Sequence, residues 1–145
     1  MTTRTMVNKE AKTAIKRNDW VKIGLKTALF SVIAVLIVQA VALAIWPEVR
    51  LFKPLDSYPR SALFTLIPAL GATVVFAWLA RDQAQPVKMF IILSAALLLL
   101  SFIPDYALPL EGMTLLGSSV AAFMHLVAGI VTVATIVTSY RNQAR

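Results

Sequence analysis

Four stretches of this chain contain no Asp, Glu, Lys or Arg. They cover residues 27–47, 61–80, 89–104 and 112–140, and run 21, 20, 16 and 29 residues. A helix needs about 20 apolar residues to cross the hydrocarbon core of a bilayer. In lipid the backbone must satisfy its own hydrogen bonds, which makes spans of this kind helical. The expected fold is therefore all-α: a polytopic membrane protein built as a four-transmembrane-helix bundle.

Composition supports that class. Hydrophobic residues make up 59% of the chain and charged residues only 14%, against roughly 25% charged in a soluble domain. Cysteine is absent, which excludes disulfides, thiolate metal sites and a cysteine nucleophile. The length allows one compact unit and not two.

The formal net charge is +7, and the excess is concentrated at one end. Residues 1–26 carry Arg4, Lys9, Lys12, Lys16, Arg17, Lys22 and Lys26 against Glu10 and Asp19. Basic residues abutting a span read as a topology signal and a contact for anionic lipid. Nucleic acid is not the expected partner, because no aromatic or glycine-rich interleaving accompanies the charges. The lipid-contact set is Lys12, Lys16, Arg17, Lys22 and Lys26. Residues 1–19 form either a flexible basic tail or an interfacial helix with Met6, Ala11, Ala14 and Ile15 on its apolar stripe. Ala42-Leu43-Ala44 resembles a small-x-small cleavage site, but the apolar run before it is too long for a signal core of about 7–15 residues. The first run is expected to remain as a span.

Expected spans are 20–46, 60–80, 86–104 and 114–140, together making one membrane domain over 20–140, with 141–145 as the C-terminal tail. Asn18 and Asp19 suggest a helix cap, and Trp20 and Trp46 suit interfacial positions bracketing the first helix. Pro47 and Pro104 suggest helix stops. The mixed loop 47–59 suggests a segment lying along the interface. Eleven Lys and Arg lie on the side of the termini and the 2–3 connection, and three, Arg50, Lys53 and Arg60, on the other. That asymmetry places both termini in the cytoplasm, with the chain multi-pass in a bacterial inner membrane.

Few side chains within the spans carry chemistry. His125 is the only histidine. Counted from the start of the fourth span it is about 16 Å deep at 1.5 Å per residue, near the midplane, where ionisable groups usually face the bundle interior. It lies on a face with Ser118, Ala121, Ala122, Gly129 and Thr132, small residues that allow close helix approach. The bland reading is a neutral histidine hydrogen-bonded across the bundle, with Gln39 among the candidate partners. Proton or ligand binding is the second reading, and axial haem ligation the third. Haem ligation by two histidines would require two chains. Pro68 suggests a kink in the second helix. Asp105, beyond the third span, is expected to sit well away from His125. The sequence offers no paired carboxylates within a span, no HExxH and no phosphate loop, so no catalytic or metal-binding residue is assigned.

Phe64-Thr65-Leu66-Ile67-Pro68-Ala69-Leu70, Ser101-Phe102-Ile103-Pro104 and Met124-His125-Leu126-Val127-Ala128-Gly129 resemble an uncharacterised family of small four-helix bacterial integral membrane proteins. The resemblance covers about the last 85 residues and omits the basic tail and the 1–2 loop. It implies the four-span architecture and brings no activity.

The expected function is that of a non-enzymatic membrane protein acting through helix packing, as a homo-oligomer or as a small subunit of a larger complex. Two alternatives stand beside it. One is a small transporter, channel or ligand-binding protein with a pocket near His125, Gln39 and Pro68. The other is a haem- or quinone-associated redox subunit.

Overall fold

The computed structural model describes residues 15–143. Four helices follow one another: α1 (Arg17–Ile45), α2 (Tyr58–Asp82), α3 (Pro86–Ala107) and α4 (Leu115–Gln143). Each is long and apolar enough to cross a membrane. Two short 3-10 turns, Pro47–Leu51 and Lys53–Leu55, interrupt the 1–2 connection. α1 packs against α2 and α4, while α3 leans mainly on α4 and is the least covered helix.

The ends of the helices differ from the sequence reading in ways that local chemistry explains. α1 starts at Arg17, with Lys16 at the cap position and no side-chain cap. Asp19 therefore lies in the first turn, where it pairs with Lys22 at 3.4 Å and complements the positive helix N-terminus. α3 runs through Pro104 to Ala107. A proline there removes only one backbone donor, and Pro104 lies on an exposed face of the helix. α2 likewise continues through Pro68, which is exposed. α4 begins after Thr114, whose Oγ1 accepts the Gly117 N–H at 3.0 Å, the geometry of a helix N-cap. The expected basic tail, including Lys12, lies largely outside the described residues.

Two packed clusters hold the helices, one at each end. At the end carrying the termini every helix contributes one ring: Trp20, Phe76, Phe90 and Tyr140. Phe76 is central. Its ring centroid is 6.1 Å from Trp20, 4.9 Å from Phe90 and 5.1 Å from Tyr140, each edge to face, the favoured arrangement of aromatic quadrupoles. Trp20 packs on these rings while staying partly exposed at that end. Trp46 stays exposed.

At the opposite end the 1–2 loop lies over the helices with Glu48, Arg50, Leu51 and Lys53 exposed. Val49, Phe52 and Leu55 turn inward and are buried with Val35, Ala42, Val120, Ala121 and Met124. Their spacing of three residues matches the three-residue period of a 3-10 turn. Gln39 Nε2 donates to Leu55 O at 3.1 Å, which ties this plug to α1. Phe52 sits against Gly117, where an added Cβ would be 3.0 Å from the Phe52 Cβ. Lys53 N donates to Glu111 O at 3.0 Å, which joins the two loops at this end. The turn at Gly112 uses a φ of +69°, and a Cβ there would meet Leu51 O at 1.7 Å. Only glycine fits both requirements. Arg60 closes the outer surface by donating to Lys53 O and pairing with Asp56.

Candidate functional site

The α3–α4 seam carries the polar side chains that the packing does not explain. Asp105, on the last turn of α3, has a side chain only 7% exposed. Its Oδ2 lies 3.3 Å from His125 Nε2 on α4. That oxygen is buried and makes no aligned hydrogen bond, so the approach is a close polar contact and not an ideal hydrogen bond. His125 is 46% exposed at its side chain. Close by, Tyr106 Oη donates to Ser119 Oγ at 3.3 Å, a second cross-link of the same two helices.

The sequence reading separated Asp105 from His125, and the structure brings them together. Counting from the start of α4 assumed that all helices end at one level. The aromatic cluster gives a better origin. Phe90 and Tyr140 both touch Phe76, and Asp105 and His125 each stand fifteen residues from their own ring. At 1.5 Å per residue both are about 22 Å along. The first turns of α4 simply project beyond the end of α3, and the Phe52 plug covers them.

Gln39 is not a partner of His125. It is 1% exposed and serves the loop plug through Leu55 O, while its Oε1 is buried without a partner. Pro68 is exposed on α2. The small-residue face of α4 is divided among neighbours. Ser118 and Ala121 are buried, Ala121 against the loop cluster. Thr132 shares a 2.8 Å hydrogen bond with Ser31 of α1. Gly129 packs on Leu98 of α3, with Ala122 only partly covered. His125 sits on the α3 side of this fan and is exposed, not enclosed.

Sequence reasoning missed Asp105 because it ends the third uncharged run and reads as a loop residue. It also missed Ser31, one serine in an apolar span. The signal available for Asp105 was weak: an acid directly after Pro104, in a helix that did not need to stop there.

Among the described residues no cluster of three or more His, Asp or Glu could hold a metal ion. His125 is the one histidine of the chain, so ligation of an iron by two histidines would take two chains. Two cavities among the described residues, at the end carrying the termini, are lined by other residues.

A family model matches residues 15–142. The chain belongs to the family of unknown function DUF6069. The match extends the resemblance seen over the last three helices to α1 and the 1–2 loop, so the plug and Gln39 fall inside the DUF6069 region. No curated protein and no solved structure matches the chain. The DUF6069 assignment and the four membrane-length helices together describe a multi-pass membrane protein of unknown function.

Proposed function

We propose that this protein is non-enzymatic and works by lateral association in the membrane, with the α3–α4 seam of one chain meeting a second copy. One observation carries the reading: His125 is half-exposed at a level where its neighbours Phe123, Leu126 and Ile130 face outward as a lipid-exposed surface would. Acyl chains offer no hydrogen bond. With Nε2 turned to Asp105, Nδ1 needs a partner from another chain. A two-fold axis normal to the membrane brings two His125 side chains to the same depth. The exposed apolar side chains of α3 favour no partner, because lipid covers leucine as well as another helix does.

The membrane is a bacterial inner membrane with both termini in the cytoplasm. Support comes from eleven Lys and Arg on the terminal side against three on the other, the distribution that sets orientation.

A second reading draws on the same pair. A carboxylate behind one imidazole nitrogen fixes the ring and raises the basicity of the other, as it does for many metal-bound histidines. Two copies could then hold one haem iron through two His125 side chains. The transporter reading has only its sequence residues behind it, with Gln39 bound to Leu55 O and Pro68 exposed.

The test is subunit counting by single-molecule photobleaching of labelled protein in nanodiscs. Wild type bleaches in two steps, and His125→Asn shifts the population toward one. A monomeric wild type overturns the proposal. A different co-purifying chain at the same face replaces the second copy with a complex partner, and a Soret band in the purified protein selects the haem reading.

A further inference from the structure

At the end carrying the termini, α1 and α4 leave a cleft of about 210 Å³ lined by Lys22, Ile23, Lys26, Ser139, Asn142 and Gln143. Lys22 and Lys26 are four residues apart and project from one face of α1. Across the cleft, α4 supplies a hydroxyl and two carboxamides. Every polar side chain on the wall carries a hydrogen-bond donor, and none is a carboxylate.

Asp19 approaches Lys22 at 3.4 Å and offsets one ammonium. Lys26 has no carboxylate partner among the described residues; its Nζ lies 5.7 Å from the centre of the Phe30 ring. Arg141 adds positive charge on α4 beside the cleft without lining it. The balance is cationic.

We infer that this cleft binds the phosphate of an anionic phospholipid headgroup, held between Lys22 and Lys26 of α1 and Ser139, Asn142 and Gln143 of α4. Ammonium and amide donors converging from two helices suit a phosphodiester's oxygens. A free phosphate would meet the same donors. Position selects the lipid: Leu25, Leu29 and Phe30 beside the lysines are exposed apolar side chains, and Trp20 and Tyr140 mark the same end, as aromatic side chains do at a membrane boundary. The sequence pointed to a diffuse basic tail. The structure adds three uncharged donors from the far end of the chain, which turns a charged surface into a two-sided site. This inference does not depend on association at His125, which lies toward the other end of α4.

The experiment uses full-length protein in nanodiscs of equal parts phosphatidylcholine and phosphatidylglycerol, with gentle release and native mass spectrometry. Wild type retains phosphatidylglycerol in excess of its bulk share. Removing the charge of one cleft lysine lowers that excess by about fivefold, so both Lys22→Gln and Lys26→Gln reduce it and the double variant abolishes it. Asn142→Ala and Gln143→Ala reduce it without changing net charge. Arg81→Gln and Lys88→Gln, outside the cleft, leave it intact. If the outside substitutions act as strongly as the cleft ones, only general attraction is at work and the site is overturned. Complete displacement by 10 mM inorganic phosphate, a concentration chosen to be of the order of millimolar affinity, would make it a soluble-anion site and also overturn the lipid assignment.

Discussion

Asp105 and His125 stand at one level because each lies fifteen residues from an aromatic ring that packs on Phe76. The contact at 3.3 Å is thus a product of helix register and not of the short 3–4 loop. Register fixed at one end of the molecule places the polar pair near the other.

The pair can be tested by a double-mutant cycle. His125→Leu leaves the buried Asp105 side chain without its contact to Nε2, whereas Asp105→Asn leaves a histidine that is already half-exposed. The first substitution should cost more than the second, and combining them should cost less than their sum. The expected coupling is about 1 kcal/mol, modest because one partner is exposed. Thermal unfolding of the four proteins in one detergent measures it, and strict additivity would show that the contact carries no energy.

Phe76→Ala should be the most damaging core truncation. Phe76 is fully buried and touches one ring on each of the other helices. Large aromatic truncations cost about 3–5 kcal/mol in cores. In a Trp46→Phe, Trp78→Phe background the emission of Trp20 reports the same loss as a spectral shift.

The glycines separate sharply. Gly112→Ala combines a left-handed backbone with a clash on Leu51 O, and strain of that kind alone costs on the order of 1–3 kcal/mol. The two loops should part, with faster proteolysis near residues 50–56. Gly71→Ala meets no atom within 4 Å and should be neutral or stabilising in the same assay.

Gln39→Leu should release the loop plug while leaving the helices packed. It removes the donor to Leu55 O, a bond worth about 1 kcal/mol in a membrane protein. The Gln39 Oε1 is already unpartnered, which limits the loss. Hydrogen exchange at residues 53–57 is the suitable readout, and unchanged protection there would contradict the assigned role.

What the sequence revealed follows from how far each physical constraint reaches. Apolar length reports the spans because the bilayer imposes it on every helix separately. It could not report that α3 continues to Ala107, because charge at Asp105 marks the end of an apolar run and not the end of a helix. His125 stood out by type, but its neighbour depended on the register between α3 and α4, set thirty-five residues earlier in the chain at Phe90. The inward turn of Val49, Phe52 and Leu55 was present as a three-residue spacing. It was obscured by the charged residues between them, which the fold leaves on the outer surface. The division of the α4 small-residue face between α1 and α3 needed the neighbours in place. A stripe of small residues says that something comes close, without saying how many helices do.

The ring of Phe76 also bears on biosynthesis. Its three contacts come from spans made before it and after it: Trp20 first, then Phe90, then Tyr140 near the end of the chain. The first two spans can meet as soon as both have entered the bilayer. The aromatic end is completed only when the final span arrives and Tyr140 docks. A chain halted after α3 would present an unfilled side of Phe76 within the membrane, a recognisable mark of an unfinished protein.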